Sequence, residues 1–172
     1  DFLKYAFLRV ITADSGARLG VVWMLTEDDS TDHGKRRRYL DQPETWRQVD
    51  PELFDLLLAP EHAAAAAPGE VLRDRILPGA GVFGNLMPAG RELRRKYFEE
   101  ALQHSVETDV VFFDPDTGLA PASISMTAVS PAHVHLNELV PFYQAEKTLV
   151  IFQHYPRIPR PFFRKSTADR LR

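Results

Sequence analysis

The sequence predicts an α/β domain with a Rossmann-like, largely parallel sheet flanked by helices, and three observations carry that prediction. Two short all-apolar runs, Val110–Phe113 and Leu149–Phe152, are rich in β-favouring residues and stop abruptly at Asp114-Pro115 and Gln153-His154. Strands without alternation are covered on both faces, as parallel strands are. Segments with three- and four-residue apolar spacing alternate with these runs, the pattern of a sheet wrapped by helices. At 172 residues the chain suits one domain, residues 1–172, and a domain of this size buries roughly 68–70% of the surface its unfolded chain exposes.

The elements follow in order. The chain opens at Asp1, without an initiator Met, with an apolar pattern already running. Phe2, Leu3, Ala6, Phe7, Val10 and Ile11 predict an amphipathic helix over 2–14, with Lys4 and Arg9 on its solvent side. Gly20–Leu25 reads as a buried strand, and 26–43 as a polar loop with a helical turn near Tyr39-Leu40. Asp50-Pro51-Glu52 is a helix start: Asp caps, Pro suits the first turn, and Glu favours the dipole. Phe54, Leu57 and Leu58 form its buried face. The alanine run within 62–68 reads as a short helix or a linker, and 77–84 as turns around a strand of two or three residues.

A second good helix covers 91–103, with Leu93, Tyr97, Phe98 and Ala101 inward and the cluster Arg91, Arg94, Arg95 and Lys96 on a solvated face. Strand 109–113 follows. Leu136, Leu139, Val140 and Tyr143 give a weaker helical stripe interrupted by Pro141. Strand 148–152 then leads into a basic, Pro-rich tail, 155–172, whose Pro156, Pro159 and Pro161 make it start extended.

Composition narrows the chemistry. With no cysteine, disulfides, thiolate metal sites and cysteine nucleophiles are excluded. A net charge of −3 implies no bulk attraction to nucleic acid or an anionic membrane. No apolar stretch approaches the ~20 residues of a membrane span and no leader resembles a signal peptide, so the expectation is a cytoplasmic protein with no membrane partner. There is no phosphate-loop motif and no Gly-x-Ser-x-Gly elbow. Gly79-Ala-Gly-Val-Phe-Gly84 has dinucleotide spacing but lacks a preceding strand.

Ligands of open α/β sheets collect outside the carboxyl ends of the strands. Parallel strands bring Thr26-Glu27-Asp28, Asp114-Pro115-Asp116-Thr117-Gly118 and Gln153-His154-Tyr155 to one rim. Asp114 and Asp116 can position a polar substrate or chelate a divalent cation, Mg²⁺ or Mn²⁺; as ordinary turn formers they can also be purely structural. His154 suits acid/base work or a hydrogen bond to a base or phosphate. His133 and His135 place two imidazoles on one face of an extended segment, but with no third ligand nearby they read as a surface loop rather than a zinc site. From Arg157 onward six basic residues accompany one acid, Asp169, with Phe162 and Phe163 interleaved; phosphate contact with a polyanion and a solvated tail are both open.

Asp1-x-Leu3-Lys4, the strand ending in Leu25-Thr26, Phe112-Phe113-Asp114-Pro115-Asp116-Thr117-Gly118-Leu119, and Val150-Ile151-Phe152-Gln153-His154 followed by Arg157 together resemble an uncharacterised bacterial protein family with the pattern FxDPDxGL … YQHxxR. The likeness spans most of the chain. More distantly the layout is similar to Rossmann-like, S-adenosylmethionine-dependent adenine-N6 methyltransferases, which carry an Asp-x-Leu-Lys helix and an Asp-Pro-Pro-Tyr motif that holds a flipped adenine. Here Asp114-Pro115 matches, while Asp116-Thr117 stands in place of Pro-Tyr and no glycine-rich turn follows the first strand.

That resemblance implies a methyltransferase-like protein acting on or binding nucleic acid. Asp114, Asp116 and His154 would be catalytic, and Thr117, Gly118, Tyr155, Arg157 and Arg160 would bind substrate. Thr26 and Glu27 would bind S-adenosylmethionine. Two other readings stand beside it. Asp114–Leu119 is similar to the Asp-x-Asp motifs of metal-dependent glycosyltransferases and haloacid-dehalogenase-type phosphatases; alternatively the chain is a non-catalytic binding module whose basic tail holds a partner.

Overall fold

The computed structural model describes residues 2–26, 38–59, 75–121 and 130–171. Its elements are α1 (Phe2–Ser15), β1 (Leu19–Val22), a 3₁₀ turn (Arg38–Asp41), α2 (Pro43–Trp46), α3 (Pro51–Leu58), β2 (Gly81–Phe83), α4 (Arg91–His104), β3 (Val110–Phe113), β4 (Gly118–Leu119), β5 (His133–Val134), α5 (Leu136–Gln144), β6 (Thr148–Ile151) and α6 (Arg160–Arg170). The alanine run falls outside the described residues, as do Glu27 and the rest of the polar loop up to residue 37. No helix among the described residues is long and apolar enough to cross a membrane.

Four parallel strands lie in the order β2-β1-β3-β6, with Val21 opposite Val82 and Phe112, and Phe112 opposite Val150. Successive side chains face opposite ways. Val21, Val110 and Phe112 pack on Phe2, Tyr5 and Leu8 of α1 and on Leu53, Phe54 and Leu57 of α3. Val22, Val111 and Phe113 meet Tyr97, Phe98 and Ala101 of α4 and Leu139 and Phe142 of α5. The chain leaves β1 toward β2 and leaves β3 toward β6, so the direction of travel reverses between β1 and β3, the switch point at whose carboxyl ends open sheets place a crevice.

The Asp50 cap forms as expected, its carboxylate accepting from Leu53 N at 2.9 Å. Elsewhere the helices turn other faces inward than periodicity suggests. On α1, Leu3, Phe7 and Val10 are each more than half exposed, while Lys4 and Arg9 point into the protein. This helix is apolar nearly all round, so spacing alone does not choose a face. The ion pairs of Lys4 with Asp114 (2.7 Å) and of Arg9 with Asp50 (2.9 Å) choose it.

On α4 it is Arg94, 1% exposed, that fills the inward position expected of Leu93, which is 56% exposed. On α5, Val140 and Tyr143 are exposed and Leu139 and Phe142 are buried. Pro141 sits inside this helix rather than ending it. As the edge of the sheet, β6 is only half-buried rather than covered on both faces. The basic tail is extended only as far as Pro159 and then forms α6.

Gly79–Gly84 is no dinucleotide turn, because Gly81–Phe83 is itself strand β2. His133 and His135 are not in a surface loop. His133 lies in β5, and His135, 6% exposed, precedes α5.

Candidate functional site at the carboxyl rim

At the crevice between β1 and β3 the first residues beyond each strand meet. Trp23 follows β1, and Met24 then adopts a left-handed backbone conformation (φ 44°) with its side chain buried. Strain of that kind persists only where the surroundings enforce it. Here the next residue, Leu25, is held against Leu86 and accepts from Met87 N at 2.6 Å. Thr26 is thereby aimed across the crevice, where its hydroxyl donates to Asp116 Oδ2 at 2.8 Å. Two of the sequence-predicted site residues, Thr26 and Asp116, are thus in direct contact; Glu27 lies outside the described residues.

Asp114 occupies the floor of the crevice. Its backbone N donates to Val22 O at 3.1 Å, continuing the β1–β3 ladder by one residue. Its carboxylate pairs with Lys4 Nζ at 2.7 Å, the side chains being 11% and 8% exposed. Burial pushes the Asp114 carboxyl above the usual carboxylate range, and the Lys4 charge opposes that push. The ammonium lies within 4.9 Å of the Trp23 ring centroid, 5.3 Å of Phe152 and 5.4 Å of Tyr5, all inside cation–π range.

Beyond Asp116 the loop is clamped by a residue outside the predicted set, Gln153. Its carbonyl oxygen accepts from Leu119 N at 2.8 Å, and its amide donates to His154 O at 2.7 Å and Thr117 O at 3.2 Å. Gly118 has φ 121°, and a Cβ there would collide with the Gln153 amide. The missing side chain at Gly118 thus admits the clamp. The sequence signal was the co-occurrence of Thr117-Gly118-Leu119 with a glutamine directly after a strand. Thr117 is exposed; its N donates to Ala132 O (2.8 Å), and its carbonyl accepts from His154 N (3.1 Å).

His154 is exposed, with its ring edge-on to Phe152 at 4.8 Å. Tyr155 packs on Phe163 of α6 (5.4 Å), carries the Arg160 guanidinium over its ring (5.0 Å), and accepts a long hydrogen bond from Arg164 (3.4 Å). At its far end α6 is tied back to the rim by Arg170, which donates to Ala120 O at 2.6 Å. The exposed side of this helix carries Arg160, Phe162, Arg164 and Lys165, with Arg157 just before it.

Behind the rim Arg94 donates to the Glu138 carboxylate and to the carbonyls of His133 and Ser130. That fixes β5, which pairs with β4 and so with the loop carrying Asp116. His133 Nδ1 and His135 Nε2 are buried without a hydrogen-bond partner. Burial holds both imidazoles below the usual histidine range, with the Arg94 charge adding to it. Among the described residues no three His, Asp or Glu side chains converge on a metal position. A cavity of about 360 Å³ lies between α4 and α5, lined in part by Arg95, Phe98, Leu102 and Pro141, and it shares no residue with the rim.

Comparison with protein-family models, curated proteins and solved structures finds no match.

As to S-adenosylmethionine, close approach of a cofactor to the turn after β1 needs small residues there. Trp23, Met24, Leu25 and Thr26 offer none, so these residues do not fit a glycine-lined cofactor turn. As to Mg²⁺ or Mn²⁺, the ammonium of Lys4 already stands on Asp114 Oδ2.

Proposed function

We propose that the rim binds a single-stranded nucleic-acid segment, with phosphates on the basic face of α6 and base edges at the Asp114–Asp116 crevice. The observation that carries this reading is that α6 is tied down at both ends beside the rim, to Tyr155 after β6 and to Ala120 just beyond the Asp116–Leu119 loop. Tyr155 and Phe163 hold one end and Arg170–Ala120 the other, so cationic and carboxylate surfaces flank one edge. Arg157, Arg160 and Lys165 supply phosphate contacts, and the exposed Phe162 supplies a stacking surface of the kind single strands use. Carboxylates accept hydrogens from exocyclic amino groups and do not attract phosphate, so the two surfaces divide the ligand between them. His154 and Tyr155 line the path from one to the other.

This is a binding reading. The methyl transfer implied by the distant resemblance gains no support from Trp23–Thr26. Fluorescence anisotropy with a short labelled single-stranded RNA across a salt series tests it. The wild type binds, and Arg157→Ala/Arg160→Ala/Lys165→Ala weakens binding and flattens the slope of log affinity against log salt by about 2. An unchanged slope in the triple variant contradicts the reading.

A further inference from the structure

We propose that Lys4 is the positioning residue of the rim: its ammonium, walled by Tyr5, Trp23 and Phe152, holds the Asp114 carboxyl in place as a hydrogen-bond acceptor at the floor of the crevice. The inference deepens the binding reading above and rests on it for its function, but its physical content concerns the free protein.

Three observations and one general argument support it. Lys4 and Asp114 are 110 residues apart in sequence and meet at 2.7 Å with both side chains about nine-tenths buried. The walls of the box come from α1, from the first residue after β1, and from the first residue after β6. The box is therefore assembled by the sheet at the point where a ligand would enter, and no single element contains it. A buried ion pair is weak evidence for stability, because well-packed apolar residues of similar volume often do as well or better. Folding stability alone therefore does not account for such a pair at the rim.

The last observation is electrostatic. Among the described residues, the titratable or charged groups facing Asp114 are Lys4 and Tyr5 of α1 and Asp116 beyond β3. Burial, the largest cause, and Asp116 disfavour the carboxylate; among the described residues Lys4 favours it, by its charge and by its hydrogen bond, and the charge of the amino terminus adds to that. Without Lys4, Asp114 takes up a proton more readily and becomes a donor as well as an acceptor, losing its ability to discriminate an amino group. In this arrangement the carboxylate is neutralised by a side chain of the protein itself rather than by a bound cation.

The test is an NMR titration of the Asp114 side-chain carboxyl in free protein labelled with ¹³C-aspartate, for wild type, Lys4→Met and Lys4→Arg. In Lys4→Met the midpoint moves upward by about one pH unit or more, the size of effect an opposite charge exerts at this range. In Lys4→Arg, which keeps the charge, it stays close to the wild type. A Lys4→Met midpoint that superimposes on the wild type overturns the proposal, and so does a Lys4→Arg midpoint displaced as far as that of Lys4→Met. If Lys4→Met does not fold, Lys4→Gln, polar and uncharged, replaces it with the same two outcomes. No ligand is present, so this result is separable from oligonucleotide binding, which tests the rim's function on its own.

Discussion

Two buried cation–carboxylate pairs organise this protein, and they differ in what surrounds them. Arg94–Glu138 lies behind the rim with its remaining hydrogen-bonding capacity spent on backbone. The guanidinium also serves His133 O and Ser130 O, and Glu138 Oε2 accepts from His135 N at 2.8 Å. Lys4–Asp114 lies at the mouth of the crevice, with aromatic rings as walls. The first pair ties three chain segments together. The second presents a carboxylate where ligands of such sheets bind. Burial and ion pairing alone therefore do not distinguish a pair that ties segments together from one that presents a carboxylate at the rim; the surroundings of each pair do.

That comparison can be broken most forcefully at Arg94. Arg94→Met leaves the Glu138 carboxylate buried and unpaired and frees two carbonyls at β5. The expected loss is about 3–5 kcal/mol, read as a lower urea midpoint. A loss below about 1 kcal/mol, the range of ordinary surface pairs, removes the structural role assigned to this pair. At the rim, Gly118→Ala places a Cβ against the Gln153 amide at a backbone angle that disfavours side chains. It costs about 1–3 kcal/mol, and backbone amide shifts over Thr117–Leu119 should report release of the clamp. Unperturbed shifts there contradict the clamp.

The smallest effect is on pH. His133 and His135 are held neutral in the fold, mainly by burial, so the unfolded chain binds protons first as pH falls. Their contribution is complete above the ordinary histidine range near ~6.5 and is lost as pH drops below it. His133→Gln/His135→Gln should flatten the change in urea midpoint between neutral and mildly acid pH, and an equally steep change in that variant contradicts the assignment.

The strands of the four-stranded sheet, the Asp50 cap and the convergence of Thr26, Asp114, Asp116 and His154 on one rim were legible because each depends on local pattern plus the rule for open sheets. Lys4, Arg94 and Gln153 were not. A lysine on a helix reads as solvated until its partner is known, and the partner of Lys4 is 110 residues away. Arg94 sits among Glu92, Arg95 and Glu99, where i,i+3 and i,i+4 pairing does occur for Arg95, and its own partner, 44 residues on, is hidden by that local explanation. Likewise α6 was masked by its prolines, which fall just before and inside its first turn, where they are tolerated.

The central claim is that the carboxylate crevice and the basic helix face serve one ligand. Binding of a labelled single-stranded RNA and of an abasic strand of equal length, each to wild type and to Asp114→Asn, tests it most directly. Asp114→Asn should weaken binding of the base-bearing strand by about 1–3 kcal/mol, the discrimination that base-edge hydrogen bonds supply, and leave the abasic strand unaffected. Equal affinities of wild type and Asp114→Asn for the base-bearing strand would contradict it, leaving phosphate contact on α6 as the whole of the interaction.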